Sequence, residues 1–296
     1  MEEIFDQLLT KIMFSFLLLI MLIGYRFLHL LLYPHAKKQV LSLYNPFENL
    51  SDSIHYFARI VGISIVFTSF EVHLFDNLLM GVFHFVFWVL VDIVFYLLAL
   101  YILELVVLHA FQYQQEILKR KNLCYAIINA SISICLALLV RNIVKIADYS
   151  IPFMIILWLF VVVVFGLLVK QYHLISRFSF SKSVFAQDYG VAISYVGFLT
   201  ANTIIIYYSF SQTQKSVGNF ITSTLTHLLL CGILLPIFFY GVQKIFLATQ
   251  KMTLPLYIQD KELQYNLGLT EAMLFLSSAL LTIIVVFGAN LYGLSL

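Results

Sequence analysis

Eight long apolar runs dominate this chain and limit its fold more than any other feature. A helix needs roughly 20 apolar residues to cross a hydrocarbon core of about 30 Å, and lipid-exposed backbone has few alternatives to a helix or a closed barrel. A membrane β-barrel would need strands of about 10 residues with alternating polarity, which runs such as 155–164 lack. We therefore predict an all-α, polytopic membrane helix bundle. The eight predicted transmembrane helices are residues 12–33, 54–74, 78–108, 123–140, 153–169, 190–208, 220–246 and 267–291.

The composition agrees with this prediction, since 62% of the residues are hydrophobic and only 11% are charged. A soluble domain has about 25% charged residues, so a soluble globular fold is excluded. The second run is the weakest of the eight, because it contains Arg59 and Glu71, which must snorkel to opposite interfaces or find protein partners. The 3 cysteines all fall inside apolar runs, which favours small hydrophobic packing over disulfides or metal ligands.

The basic residues are distributed unevenly between the two sides of the predicted bundle. Thirteen of the 17 Lys and Arg residues lie in or beside the loops that follow the first, third, fifth and seventh helices. The positive-inside rule makes that side cytoplasmic and puts both termini outside the cytoplasm. The net charge of +2 gives no indication of nucleic-acid binding.

The even-numbered helices share a pattern near their starts, which predicts an internal repeat. Each of these starts contains a polar residue, which we call the anchor, of a type preferred at a helix N-cap. A small residue that permits close helix packing follows nine positions after three of the four anchors. Helix pairs preserve orientation, so we predict four parallel helix-pair repeats, with capping as the simplest role of the anchors. Trp88 and Trp158, 70 residues apart, occupy matching places in the third and fifth helices. The anchors are Ser53, Asn122, Asp188 and Asn266, and the small residues are Gly62, Ser131 and Gly197.

One pattern begins with an odd-numbered helix that contains Trp and continues with the charged stretch 115–122, Ala126, Ile127 and a helix with small residues. This pattern resembles the bacterial membrane family called domain of unknown function 350. Residues 188–197 (DYGVAISYVG) carry the best part of the resemblance in the second half. The resemblance implies two tandem four-helix units, residues 12–146 and 151–292, in a bacterial plasma (inner) membrane. It supplies no catalytic residues. If shorter relatives work as dimers, this chain is a covalent pseudo-dimer, and self-association is the corresponding expectation.

Polar residues within the predicted membrane helices are the candidate functional residues, because an ionisable group at the bilayer centre costs at least about 2.5 to 3.5 kcal/mol. The third helix carries His84, Asp92, Tyr96 and Glu104 at multiples of four residues, which places them near one stripe. His227 and Glu271 are candidates to complete a polar cavity with this stripe. Val162 occupies the position of Asp92 in the fifth helix, so the repeat itself does not impose the stripe.

Two functions remain open from these residues. The first is a channel or transporter component for protons or small cations, in which Asp92 binds or relays charge. In the second, a non-catalytic scaffold recruits a cytoplasmic protein through its basic loops, especially 119–121 and 250–264. The stripe itself also has a structural interpretation. In it, Asp92 holds helices together by pairing with Arg59, His227 or a hydroxyl, or it is protonated because it is buried.

Enzymatic and cofactor chemistry find no support in the sequence. It has no zinc-protease motif, no nucleophile elbow and no phosphate loop. Haem could be held by two histidines, but the candidates show no paired spacing that would support it. The candidates are His84, His109, His173 and His227. We therefore expect no enzyme activity, no cofactor and no metal. The expected partner is the lipid bilayer that surrounds the helices.

Overall fold

The described part of the chain forms an all-helical bundle with eight long helices. The computed structural model describes residues 2–34, 48–70, 78–106, 108, 111–148, 150–176, 178–211, 217–246 and 261–288, and no strand occurs among them. All eight helices are long and apolar enough to cross a membrane, so the predicted all-α multi-pass fold is confirmed. They are α1 (Glu2–Leu32), α2 (Leu50–Phe67), α3 (Leu78–Val106), α4 (Leu123–Ala147), α5 (Ile151–Ile175), α6 (Tyr189–Phe210), α7 (Val217–Phe246) and α8 (Lys261–Phe287).

Several helices extend beyond the predicted apolar runs: α1 begins ten residues earlier and α8 six residues earlier, and α4 ends seven residues later. Helix α2 begins at Leu50, four residues before the predicted run, and ends at Phe67. Residues 71–74 of that prediction, including Glu71, lie outside the described residues, as do residues 289–291 of the last one. Helix α8 begins at Lys261 because residues 261–264 are good helix formers that extend the helix beyond its apolar part.

The even-numbered helices form the centre of the bundle. Helix α2 packs on α4, α4 on α6, and α6 on α8, while the odd-numbered helices pack around this row. Small residues allow the close approach of α6 and α8, since a Cβ added at Gly197 would lie 2.5 Å from the Cα of Ala272. Gly62 of α2 likewise lies against the ring of Tyr96 on α3. Helices α1 and α7 are the least buried of the eight and present most of their apolar surface to the bilayer.

Two of the four predicted anchors are confirmed as helix N-caps. The side chain of Asn122 accepts a hydrogen bond from the backbone N–H of Tyr125, and Asp188 accepts one from Gly190. The predictions for Ser53 and Asn266 were wrong. Asn49 caps α2, which leaves Ser53 in the first turn, and the N-terminal extension of α8 puts Asn266 inside that helix.

Similar short helices precede α4 and α6 at the end of the bundle where the odd-numbered helices end, which we call the basic end. A π-helix, Gln114–Lys119, precedes α4, and a six-residue helix, Phe180–Phe185, precedes α6. Lys121 and Gln187, directly before the two caps, have left-handed backbone conformations with φ of 51° and 58°. The amide of Asn122 donates to the carbonyl of Val184, and this bond joins the two junctions.

Candidate functional site

The polar stripe of α3 is divided among separate partners. The indole of Trp88 donates a hydrogen bond to Nε2 of His84 over 3.0 Å. The hydroxyl of Tyr96 lies 2.5 Å from that of Ser133 on α4. Glu104 turns toward α2 and the end of α1. The four residues therefore share one helix but do not line one continuous polar surface.

Asp92 is the residue of this stripe that lacks a partner. Its side chain is completely buried, and neither carboxylate oxygen has a hydrogen-bond partner among the described residues. The predicted structural pairing with Arg59 or His227 was wrong, because Arg59 pairs with Glu104, and His227 lies beside Ser223 and the ring of Phe287. An unpaired charge buried in apolar surroundings is unfavourable, so burial favours the neutral, protonated carboxyl.

Glu104 connects all four helices of the first half. It forms an ion pair with Arg59 of α2, accepts a hydrogen bond from the hydroxyl of Tyr33 at 2.5 Å, and accepts another from the amide of Asn129 on α4 at 2.9 Å. Tyr33 directly follows α1, so the carboxylate links α3 to the other three helices. Only 1% of the Arg59 side chain and 18% of the Glu104 side chain are exposed, so this ion pair is largely removed from water.

Two histidines extend this ion pair into a larger cluster. Nε2 of His55 lies 3.0 Å from the guanidinium of Arg59, and Nδ1 of His29 lies 3.2 Å from the hydroxyl of Tyr25. Both histidines are fully buried, and the rings of Tyr33, Tyr56 and others pack against them. We call Tyr25, His29, Tyr33, His55, Arg59, Glu104 and Tyr113 the Arg59 cluster.

A second buried carboxylate lies at the basic end of the other half. Glu271 of α8 accepts hydrogen bonds from the hydroxyls of Ser194 on α6 and Ser176 just after α5. The hydroxyl of Tyr172 on α5 donates in turn to Ser194 over 2.8 Å. Glu271 therefore joins three helices of the second half and belongs to a different cluster from Glu104.

Within the described part of the chain, no three His, Cys, Asp or Glu residues are grouped so that they could hold a metal ion. The side chains of His109 and His173, two of the considered haem ligands, lie outside the described residues. A cavity of about 350 Å³ between α5 and α7 is lined by apolar residues such as Phe160, Val163 and Phe220. It touches none of the candidate polar residues, and its lining suits a lipid chain better than an ion.

The first half of the chain matches a known family model. Residues 3–144 match the family model of the Domain of Unknown Function (DUF350). This DUF350 segment contains α1 to α3, most of α4, Asp92 and the whole Arg59 cluster. His227 and Glu271 lie outside it. No curated protein and no solved structure matches the chain.

The Arg59 cluster is the feature of the DUF350 segment that the sequence analysis missed. Arg59 was expected to snorkel or to meet Asp92, and Glu104 was assigned to the polar stripe. Two signals could have revealed the cluster. The spacing of four residues in Tyr25, His29 and Tyr33, and again in His55 and Arg59, gives two helices matching polar faces. The topology also brings the end of α1, the start of α2 and the end of α3 to the same end of the bundle.

Proposed function

We propose that this protein is a membrane transport component that moves protons through its DUF350 segment, with Asp92 as the intramembrane proton acceptor. The observation that supports the proposal is the buried Asp92 carboxyl, which has no hydrogen-bond partner among the described residues. Intramembrane carboxylates serve as proton relays in many pumps and transporters. A proton suits a lone carboxyl better than a metal cation, which requires several oxygen ligands at once.

The contrast with Glu104 supports this assignment. Both carboxylates belong to α3, but Glu104 accepts hydrogen bonds from three other segments and holds the helices together. Asp92 makes no such hydrogen bond within the described part of the chain, so helix packing there does not explain why a carboxyl is present. Removing Asp92 should therefore change transport without weakening the bundle, whereas removing Glu104 should weaken the bundle itself.

The proposal includes two tandem units, 12–146 and 151–292, built from parallel helix pairs. It is supported by the matching junctions before α4 and α6, in which a left-handed residue precedes an Asn or Asp cap. The second unit has Val162 where the first has Asp92, so we assign proton movement to the first unit alone. The distribution of Lys and Arg supports an orientation with both termini outside the cytoplasm, and the family resemblance is the basis for proposing a bacterial plasma membrane location.

Proton flux in proteoliposomes tests the proposal directly. Purified wild type should dissipate an imposed pH gradient, as followed by an internal pH-sensitive dye, and Asp92→Asn should abolish that flux while the protein stays folded. Asp148→Asn is the matched control, because it makes the same chemical change at the exposed C-cap of α4, where Asn tolerates the left-handed conformation. A parallel series with Na⁺ and K⁺ gradients separates proton movement from cation movement.

Two results would refute the proposal. One is the absence of flux above empty liposomes in the wild-type protein. The other is equal proton flux in wild type and Asp92→Asn, which would make Asp92 irrelevant to conduction.

The alternative function is a scaffold that recruits a cytoplasmic partner through the basic loops, without any catalytic step. It has less support, because two residues of the 119–121 stretch already bind within the chain. Arg120 pairs with Glu116 and donates to the carbonyl of Phe185, and Lys121 donates to the carbonyl of Glu48. Neutralising the loops should abolish a scaffold function and leave proton flux unchanged.

A further inference from the structure

The ring of Tyr33 occupies a slot formed by flat side chains in the Arg59 cluster. It lies 4.7 Å from the guanidinium carbon of Arg59, and its centroid lies 5.0 Å from that of His29 and 4.6 Å from that of Tyr113. Its hydroxyl donates to Glu104. The slot therefore has the shape and the hydrogen-bond acceptor that a phenolic ring requires.

The cluster also contains three buried nitrogen atoms without a hydrogen-bond partner among the described residues: Nε2 of His29, Nδ1 of His55 and Nε of Arg59. Arg59 donates to Nε2 of His55, which places the remaining histidine proton on Nδ1. The hydroxyl of Tyr25 can either donate to Nδ1 of His29 or accept from it, so this bond does not place the proton of His29. Nδ1 of His55 and Nε of Arg59 are therefore the two N–H donors without a partner among the described residues, and the cluster has a surplus of donors.

The charge of the cluster restricts what these donors can bind. Arg59 is neutralised by its ion pair with Glu104, and His55 accepts a hydrogen bond from Arg59, which is the behaviour of the neutral ring. A phosphate or another anion would therefore meet the Glu104 carboxylate without a free positive charge to offset it. An uncharged oxygen acceptor, such as the hydroxyl of a phenol, fits the donors better.

The slot reaches the surface of the described residues beside the end of α1. Tyr33 is half-buried and directly follows α1, of which only 11% of the most apolar window is buried within the protein. Rotation of the Tyr33 side chain about its own bonds would vacate a space of ring size beside Arg59. A ligand dissolved in the membrane could reach this space past α1 without crossing the helix bundle.

We infer that the Arg59 cluster binds the headgroup of a membrane quinol, whose ring replaces that of Tyr33. One ligand hydroxyl donates to Glu104 as the Tyr33 hydroxyl does, and the oxygen of the other hydroxyl accepts from the N–H group of His55. Tyr33 is thus a built-in competitor for the slot. The inference goes beyond the proposed proton movement, because binding requires neither Asp92 nor flux.

Equilibrium binding of a short-chain benzoquinol, kept reduced under anaerobic conditions, to the full-length protein in neutral-lipid nanodiscs tests this inference. Wild type should bind saturably, and Tyr33→Ala should bind about tenfold more tightly because the competing ring is gone. His55→Phe keeps a ring but loses the donor, and should bind about fivefold more weakly. His84→Phe is the matched control, since His84 lies outside the cluster, and its affinity should equal that of wild type.

Thermal unfolding of each variant establishes that it is folded before binding is measured. The inference is overturned if wild type shows only non-saturable partitioning, or if Tyr33→Ala binds no more tightly than wild type. Equal affinities of His55→Phe and His84→Phe would also overturn it. Asp92→Asn should bind as wild type does, so loss of proton flux and loss of quinol binding are distinguishable results.

Discussion

Removal of the Arg59 charge should destabilise the protein strongly, because it leaves Glu104 as an unpaired carboxylate. Breaking a buried ion pair from one side destabilises a protein by about 3 to 5 kcal/mol. Glu104 retains the neutral donors Tyr33 and Asn129, each contributing about 1 kcal/mol, so the lower end of that range applies. We therefore expect Arg59→Met to lower the free energy of unfolding by about 3 kcal/mol.

The double variant Arg59→Met/Glu104→Leu provides the decisive comparison. Replacing both partners with apolar residues removes the unpaired charge, so the double variant should recover most of the stability that Arg59→Met loses. Unfolding in mixed micelles with increasing dodecyl sulfate, followed by the fluorescence of the 2 Trp residues, measures all of these variants.

Lys145→Met is the control for the cation-to-methionine change, because Lys145 is exposed near the end of α4. It should alter the unfolding free energy by less than about 0.5 kcal/mol. If Arg59→Met also falls within this limit, or if the double variant is less stable than Arg59→Met alone, the argument that Glu104 needs Arg59 is refuted.

Three further predictions use the same unfolding measurement. Gly197→Leu should destabilise by about 1 to 3 kcal/mol, because α6 already touches Ala272 of α8 at that point; unchanged stability would contradict the close packing. Asp92→Leu should stabilise by about 1 to 3 kcal/mol while abolishing proton flux, because it removes a buried polar group without a partner; a loss of stability would indicate an undetected partner. Burial raises the pKa of Asp188 above its ordinary value of 3.8. The contribution of protonated Asp188 to the free energy of unfolding is therefore fully present below pH 3.8, and it is lost as pH rises through the higher folded-state pKa. Asp188→Asn keeps the cap, so its stability relative to wild type should be greater at neutral pH than at about pH 4, and a difference independent of pH would exclude this titration.

The long helices and two of their caps were predictable because both depend on local sequence. Twenty apolar residues in a row need a helix in lipid wherever the rest of the chain lies. Asn122 and Asp188 cap through backbone N–H groups two or three residues further along. Ser53 and Asn266 were mispredicted because an apolar run marks the membrane-buried part of a helix, while the helix itself continues into polar residues on either side.

The partners of the polar residues were far less predictable. Arg59 and Glu104 are 45 residues apart, and their pairing depends on how α2 and α3 pack at the basic end. The sequence contains no measure of that packing, so Arg59 was expected to snorkel or to pair with Asp92. Glu271 similarly finds Ser194 and Ser176 only because α5, α6 and α8 meet at one place.

The sequence by itself determined a multi-pass helical membrane protein and identified the polar residues that the bilayer makes unfavourable. Only the tertiary structure decided which of these residues are paired. Asp92 and Glu104 are twelve residues apart on α3, which places them about 120° apart around a helix of about 3.6 residues per turn. They therefore face different neighbours. Glu104 meets donors from three other segments, whereas Asp92 meets none among the described residues, a difference that spacing along one helix does not reveal.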